Sequence, residues 1–82
     1  CLALAYECGK MGGTAPTVFN AANEVAVGCF LRGEIPFLHI EAVVAQTVER
    51  HNVAPSPDLA EIESADRWAR QTAGELARRL TI

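Results

Sequence analysis

Residues 14–33 limit the fold most: they form one predominantly apolar segment with a helix-start signal at one end and a stop signal at the other. Thr14 is placed to act as an N-cap, and Pro16 belongs in a first helical turn, where its missing N–H costs nothing. Gly33 closes the segment, as glycine does just past a helix. Between them Val18, Ala22, Val25 and Cys29 recur at i, i+4, i+7 and i+11, which is one stripe of a helix. Phe19, Ala26 and Phe30 widen that stripe. A helix this apolar is buried over most of its surface, so the sequence predicts that it forms the centre of the molecule. The chain has 82 residues, enough for one small domain spanning 1–82, with a core that buries only about 60% of the unfolded surface.

The rest of the pattern is helical too. Fourteen alanines, the best helix formers, are spread along the chain. A short apolar helix is predicted over residues 2–10, ended by Gly9, Gly12 and Gly13. Residues 34–38 form a connector in which Pro36 disfavours helix just before it, and Phe37 and Leu38 are expected to tuck inward. A third helix runs over about 39–50, with Ile40, Val43, Val44, Thr47 and Val48 inward and Glu41 and Glu49 towards water. Pro55 and Pro57 mark 52–58 as a loop. Leu59 and Ile62 fit either a helical turn or a short extended strip, and both readings stand for 58–63. From Ser64, read as a cap, a last helix carries Ala65, Trp68, Ala69, Thr72, Leu76 and Leu80 on its buried stripe. Asp66 in its first turn and Arg78 and Arg79 in its last suit the helix dipole, and Gly74 weakens its middle. The expected fold is all-α, a small four-helix bundle-like domain.

Composition removes several function classes. Ten acidic residues against seven basic ones leave a net charge of −3, and no basic patch suggests nucleic acid or an anionic membrane as a partner. No apolar run approaches the roughly 20 residues that span a bilayer, and no secretion signal is legible, so a soluble protein is expected. Half the residues are apolar, enough for a core. Cys1, Cys8 and Cys29 are odd in number and form no Cys-x-x-Cys pair, which points to thiols in a reducing, cytoplasmic setting. His39 and His51 complete no metal set with them.

The chemical motifs are weak. In Gly-Lys-Met-Gly-Gly-Thr at residues 9–14, Lys10 comes too early for a phosphate loop and Met11 interrupts it. A turn after a helix is the simpler reading, although the helix start at Thr14 could hold an anion through its N–H groups. His39 with Glu41 lacks the two-histidine spacing of a metalloprotease helix, and His39 reads as a cap or connector residue. Glu61, Glu63 and Asp66 lack the spacing and glycine of a calcium loop and read as a solvated face. No nucleophile elbow or dinucleotide fingerprint occurs, so no catalytic, cofactor-binding or metal residue is assigned. One cluster stands out. Asn20, Asn23 and Glu24 share one side of the most apolar helix. Either that side faces water, or it finds its hydrogen bonds on something outside these 82 residues, since amides buried without partners are costly.

The chain opens Cys1-Leu2-Ala3-Leu4, without methionine, as though a helix were already under way. A piece of a longer protein is expected, with initiator-methionine removal as the plainer alternative. PTVFNAANEVAVGCFLRGEIPFLHI at residues 16–40 resembles the C-terminal part of the 1-deoxy-D-xylulose 5-phosphate reductoisomerase family, and CLALAYECGKMGGTAP resembles the stretch before it. The Asn-Ala-Ala-Asn-Glu run at 20–24 is the most specific element, and ADRWAR at 65–70 is compatible with the family's last helix. The resemblance implies a three-part enzyme with a Rossmann-type NADPH domain, a central catalytic domain and a C-terminal helical bundle. It further implies NADPH and Mg²⁺ or Mn²⁺ as cofactors, a homodimer, and 2-C-methyl-D-erythritol 4-phosphate as the product in the non-mevalonate isoprenoid route. Only the third part is matched here, so the implied role is a non-catalytic domain packed on the catalytic and NADPH-binding domains; the polar cluster of Asn20, Asn23 and Glu24 on the apolar helix is the candidate interdomain contact. An independent helical interaction module is the alternative from another class. A small self-associating helical protein is a third reading.

Overall fold

A computed structural model describes residues 9–10, 12–51 and 58–81. Among them stand three helices and no strand: α1 (Ala15–Leu31), α2 (His39–Glu49) and α3 (Leu59–Thr81). The all-α expectation holds. The predicted first helix is described only at Gly9 and Lys10, which are helical. The rest of it, Cys1, Cys8, Met11, the loop over 52–57 and the side chain of Leu80 lie outside the described residues.

Each helix packs on the other two. Helix α1 lies at the centre of this arrangement, burying Ala15, Val18, Ala21, Ala22, Ala26 and Cys29. Helix α2 buries Ile40, Val43, Val44 and Thr47, with Val48 partly covered, as its spacing predicted. Thr47 is buried because its hydroxyl donates to the Val43 carbonyl at 2.8 Å, so no polar group is left without a partner there. Helix α3 meets the others through Ala65, Ala69, Ala73, Leu76 and Ala77. Four of those five are alanines, which let the helix axes approach closely. The predicted stripe of α3 missed Ala73 and Ala77 and placed Trp68 and Thr72, both half-buried, fully inside.

The chain leaves α1 through a Schellman motif. The Gly33 N–H donates to the Phe30 carbonyl and the Glu34 N–H to the Cys29 carbonyl, each at 2.9 Å. Gly33 has φ +76°, the left-handed conformation the motif requires at that position. This turn drives Ile35 into the core. It also overturns the expectation for the connector: Phe37 and Leu38 point outward, 66% and 84% exposed. One apolar residue after the turn fills the space under α1, and the Pro36 bend carries the next two away.

Helix starts bring three further corrections. Thr14 occupies the N-cap position of α1, but its hydroxyl makes no capping bond; it is used across the bundle instead. Helix α3 begins at Leu59, so 58–63 is helical, and Asp58 rather than Ser64 is the cap, its Oδ1 accepting the Glu61 N–H at 2.8 Å. The acidic residue of the first turn is therefore Glu61, while Asp66 sits two turns in; Arg78 and Arg79 do stand in the last turn.

Candidate functional site

Helix α1 turns its buried stripe towards α2 and α3, which leaves an outward side centred on Asn20. At 100° per residue, Asn20, Glu24, Val27 and Leu31 line that side, with Asn23 on its flank. The structure separates the three predicted contact residues. Asn20 is exposed in the middle. Glu24 leans towards α3, where its Oε2 accepts from Arg70 Nη2 at 2.8 Å. The same guanidinium donates from Nε to Asp66 Oδ2 at 2.9 Å, and the two carboxylates hold Arg70 charged above its ordinary range, Asp66 contributing first. Such exposed pairs add little stability, but they fix where the Glu24 carboxylate stands. Glu24 thus has a partner inside the chain. Asn23, half-buried, lies on the opposite flank and lines a groove with Val27, Phe37, Leu38, Ile40 and Glu41.

A second constellation joins all three helices. Thr14 Oγ1 and His51 Nε2 share a hydrogen bond of 2.6 Å, and the His51 ring lies tilted against Trp68 at 5.4 Å between centroids. Thr14 comes from the start of α1, His51 from just past the end of α2 and Trp68 from α3. Burial of the imidazole pushes its pKa below the ordinary value of 6.5. Arg50, Glu61 and Ser64 line the cleft beside it. Sequence spacing could not reveal this cluster, because Thr14 and His51 are 37 positions apart. The one available signal was Trp68, placed on the inward stripe of its helix with an N–H that favours a polar neighbourhood.

The DXP reductoisomerase C-terminal domain model matches residues 1–72 of this chain. The chain belongs to the DXP reductoisomerase C-terminal domain family. It is 55% identical over 76 residues to 1-deoxy-D-xylulose 5-phosphate reductoisomerase 1 of Bacillus cereus, covering 93% of this chain and 20% of that protein. The reductoisomerase of Pelotomaculum thermopropionicum is 54% identical over 80 residues, which is 98% of this chain and 21% of that one. That of Bacillus subtilis is 53% identical over 70 residues, 85% and 18%. The chain therefore spans about a fifth of the length of the curated relatives it matches. The resemblance carried by residues 16–40 is borne out.

The remaining candidate positions of this reductoisomerase C-terminal domain are plainly placed. His39 opens α2, and its Nδ1 is buried without a hydrogen-bond partner. Glu41 is exposed in the first turn of α2, and Glu61 and Glu63 are exposed on α3. Cys29 is buried, and that burial raises its thiol pKa, with a hydrogen bond to Glu34 adding to the shift, so the thiol is poorly reactive. Among the described residues no group of three or more His, Cys, Asp and Glu could hold a metal ion. None of their helices is long and apolar enough to cross a membrane.

Proposed function

We propose that the chain is the non-catalytic, structural C-terminal domain of a 1-deoxy-D-xylulose 5-phosphate reductoisomerase, and that the outward side of α1 docks it onto the rest of that enzyme. NADPH and Mg²⁺ or Mn²⁺, which the family resemblance implies, are then held by the upstream domains, and the whole enzyme is a homodimer. Turnover belongs to the whole protein, and the 82-residue chain by itself is inactive. A catalytic constellation tolerates roughly 0.5 Å of looseness, so a domain that only braces it still governs turnover.

The observation that carries the docking role is the position of Asn20. Asparagine is a poor helix former, because its side chain competes for backbone hydrogen bonds. Here it stands exposed in the middle of the central helix, where alanine would favour the helix by up to about 0.7 kcal/mol. A partner that accepts and donates hydrogen bonds there gives the amide a use that water does not. The test separates the two by sign. In the isolated chain, Asn20→Ala with Asn23→Ala leaves stability unchanged or raises it. In the full-length enzyme the same pair lowers kcat several-fold and lowers the melting temperature. Unchanged kcat and unchanged melting temperature in the full-length enzyme would remove the docking role of this side.

A further inference from the structure

The connector between α1 and α2 holds large apolar side chains in water without slack in its backbone. Phe37 and Leu38 are exposed, yet the His39 N–H donates to the Pro36 carbonyl at 3.0 Å and the Ile40 N–H to the Phe37 carbonyl at 3.2 Å. The Phe37 ring also meets Phe30 edge-on, 5.5 Å between centroids and 66° between planes. With Val27 and Ile40 these side chains bound a groove of about 350 Å³, and Asn23 and Glu41 form its polar rim. A preformed apolar pocket inside a polar rim is the anatomy of an anchoring site at a protein interface.

We propose that this groove seats an apolar segment from the upstream part of the same reductoisomerase polypeptide and is the anchor of the docked domain. The proposal rests on the reading of the chain as a docked C-terminal domain and names where the contact is made. The length of the relatives points to that occupant. About four fifths of each lies outside the match, and a C-terminal domain has that chain before it. The groove is also continuous with the outward side of α1, because Asn23 belongs to both. Its size fits too. A pocket for one or two side chains suits a tethered partner, whose effective concentration the linker sets. A separate molecule would have to offset its lost translational and rotational freedom with the same few contacts.

The experiment places a photo-reactive side chain in the full-length enzyme, Phe37→p-benzoylphenylalanine, with Asn20→p-benzoylphenylalanine as companion. Both positions are exposed in the domain, so neither replacement disturbs its core. After irradiation, peptide mapping should join position 37 to residues upstream of Cys1 in the same chain. Adding Leu38→Asp should lower that yield about tenfold, the equivalent of 1.4 kcal/mol of binding. Cross-links from position 37 only to a second copy, or only within these 82 residues, overturn the proposal. If position 20 reaches upstream residues while position 37 does not, the domain docks but the groove is not its anchor. If neither reaches them, the docking reading falls as well.

Discussion

His51 is the residue whose chemistry reports most directly on the packing of the three helices. Burial of its imidazole, which meets Trp68 and Thr14, disfavours the charged form and lowers its pKa. The depressed pKa sets the sign of a pH effect. Below pH 6.5 the unfolded chain binds a proton that the folded chain resists, so ∂ΔG/∂pH is positive there. The stability His51 contributes is complete above pH 6.5 and is lost as pH falls through the folded pKa. Urea unfolding of the domain between pH 7.5 and 5 should show that loss, and His51→Gln should flatten it. A pH slope unchanged by the substitution would show that His51 is not the titrating group. Neither Thr14 nor His51 could be read in this role beforehand. A helix start looks like a cap in sequence, and only the packing shows that the Thr14 hydroxyl turns away to His51. Phe37 and Leu38 misled for a related reason: hydrophobicity says that a side chain gains from burial, not whether the burying surface lies in the same 82 residues.

At the scale of elements, the sequence was legible wherever burial and period coincide. The structure buries the β-branched stripe of α2 and, in α1, Val18, Ala22, Ala26 and Cys29, whereas Val25 and Phe19 are only partly covered and Phe30, expected to widen the α1 stripe, is exposed at the end of the helix. The start of α3 was not legible for the opposite reason. Residues 59–64 are all exposed, so no apolar stripe marks them, and the first inward residue, Ala65, draws the apparent start towards Ser64. The cap decides the matter. Asp58→Ala removes the bond to the Glu61 N–H and should destabilise the domain by about 1 kcal/mol. Ser64→Ala, in the exposed interior of α3, should be neutral or slightly stabilising, within about 0.5 kcal/mol. Denaturant midpoints measure both. The reverse order would restore Ser64 as the cap.

At the scale of the molecule, alanines of α1 and α3 pack with the valines of α2 and with Ile35, while Phe37 and Leu38 of the connector face outward. The core explains why the chain folds as it does, and the exposed side of α1 and its groove explain what the fold presents. Family membership was legible in the Asn-Ala-Ala-Asn-Glu run, which puts Asn20 and Glu24 on the exposed side of α1 and Ala21 and Ala22 in the core. The division of the run between α3, solvent and groove was not legible, because it depends on Arg70 and on the connector, 46 and 14 positions from the residues they meet.

The most direct test of the structural, non-catalytic role is complementation. A reductoisomerase truncated just before Cys1 is mixed with the 82-residue chain, and NADPH oxidation is followed with substrate and Mg²⁺. The account predicts low turnover from the truncated enzyme, none from the chain, and recovery when the two are combined. Full turnover from the truncated enzyme, or any turnover from the chain by itself, would contradict it.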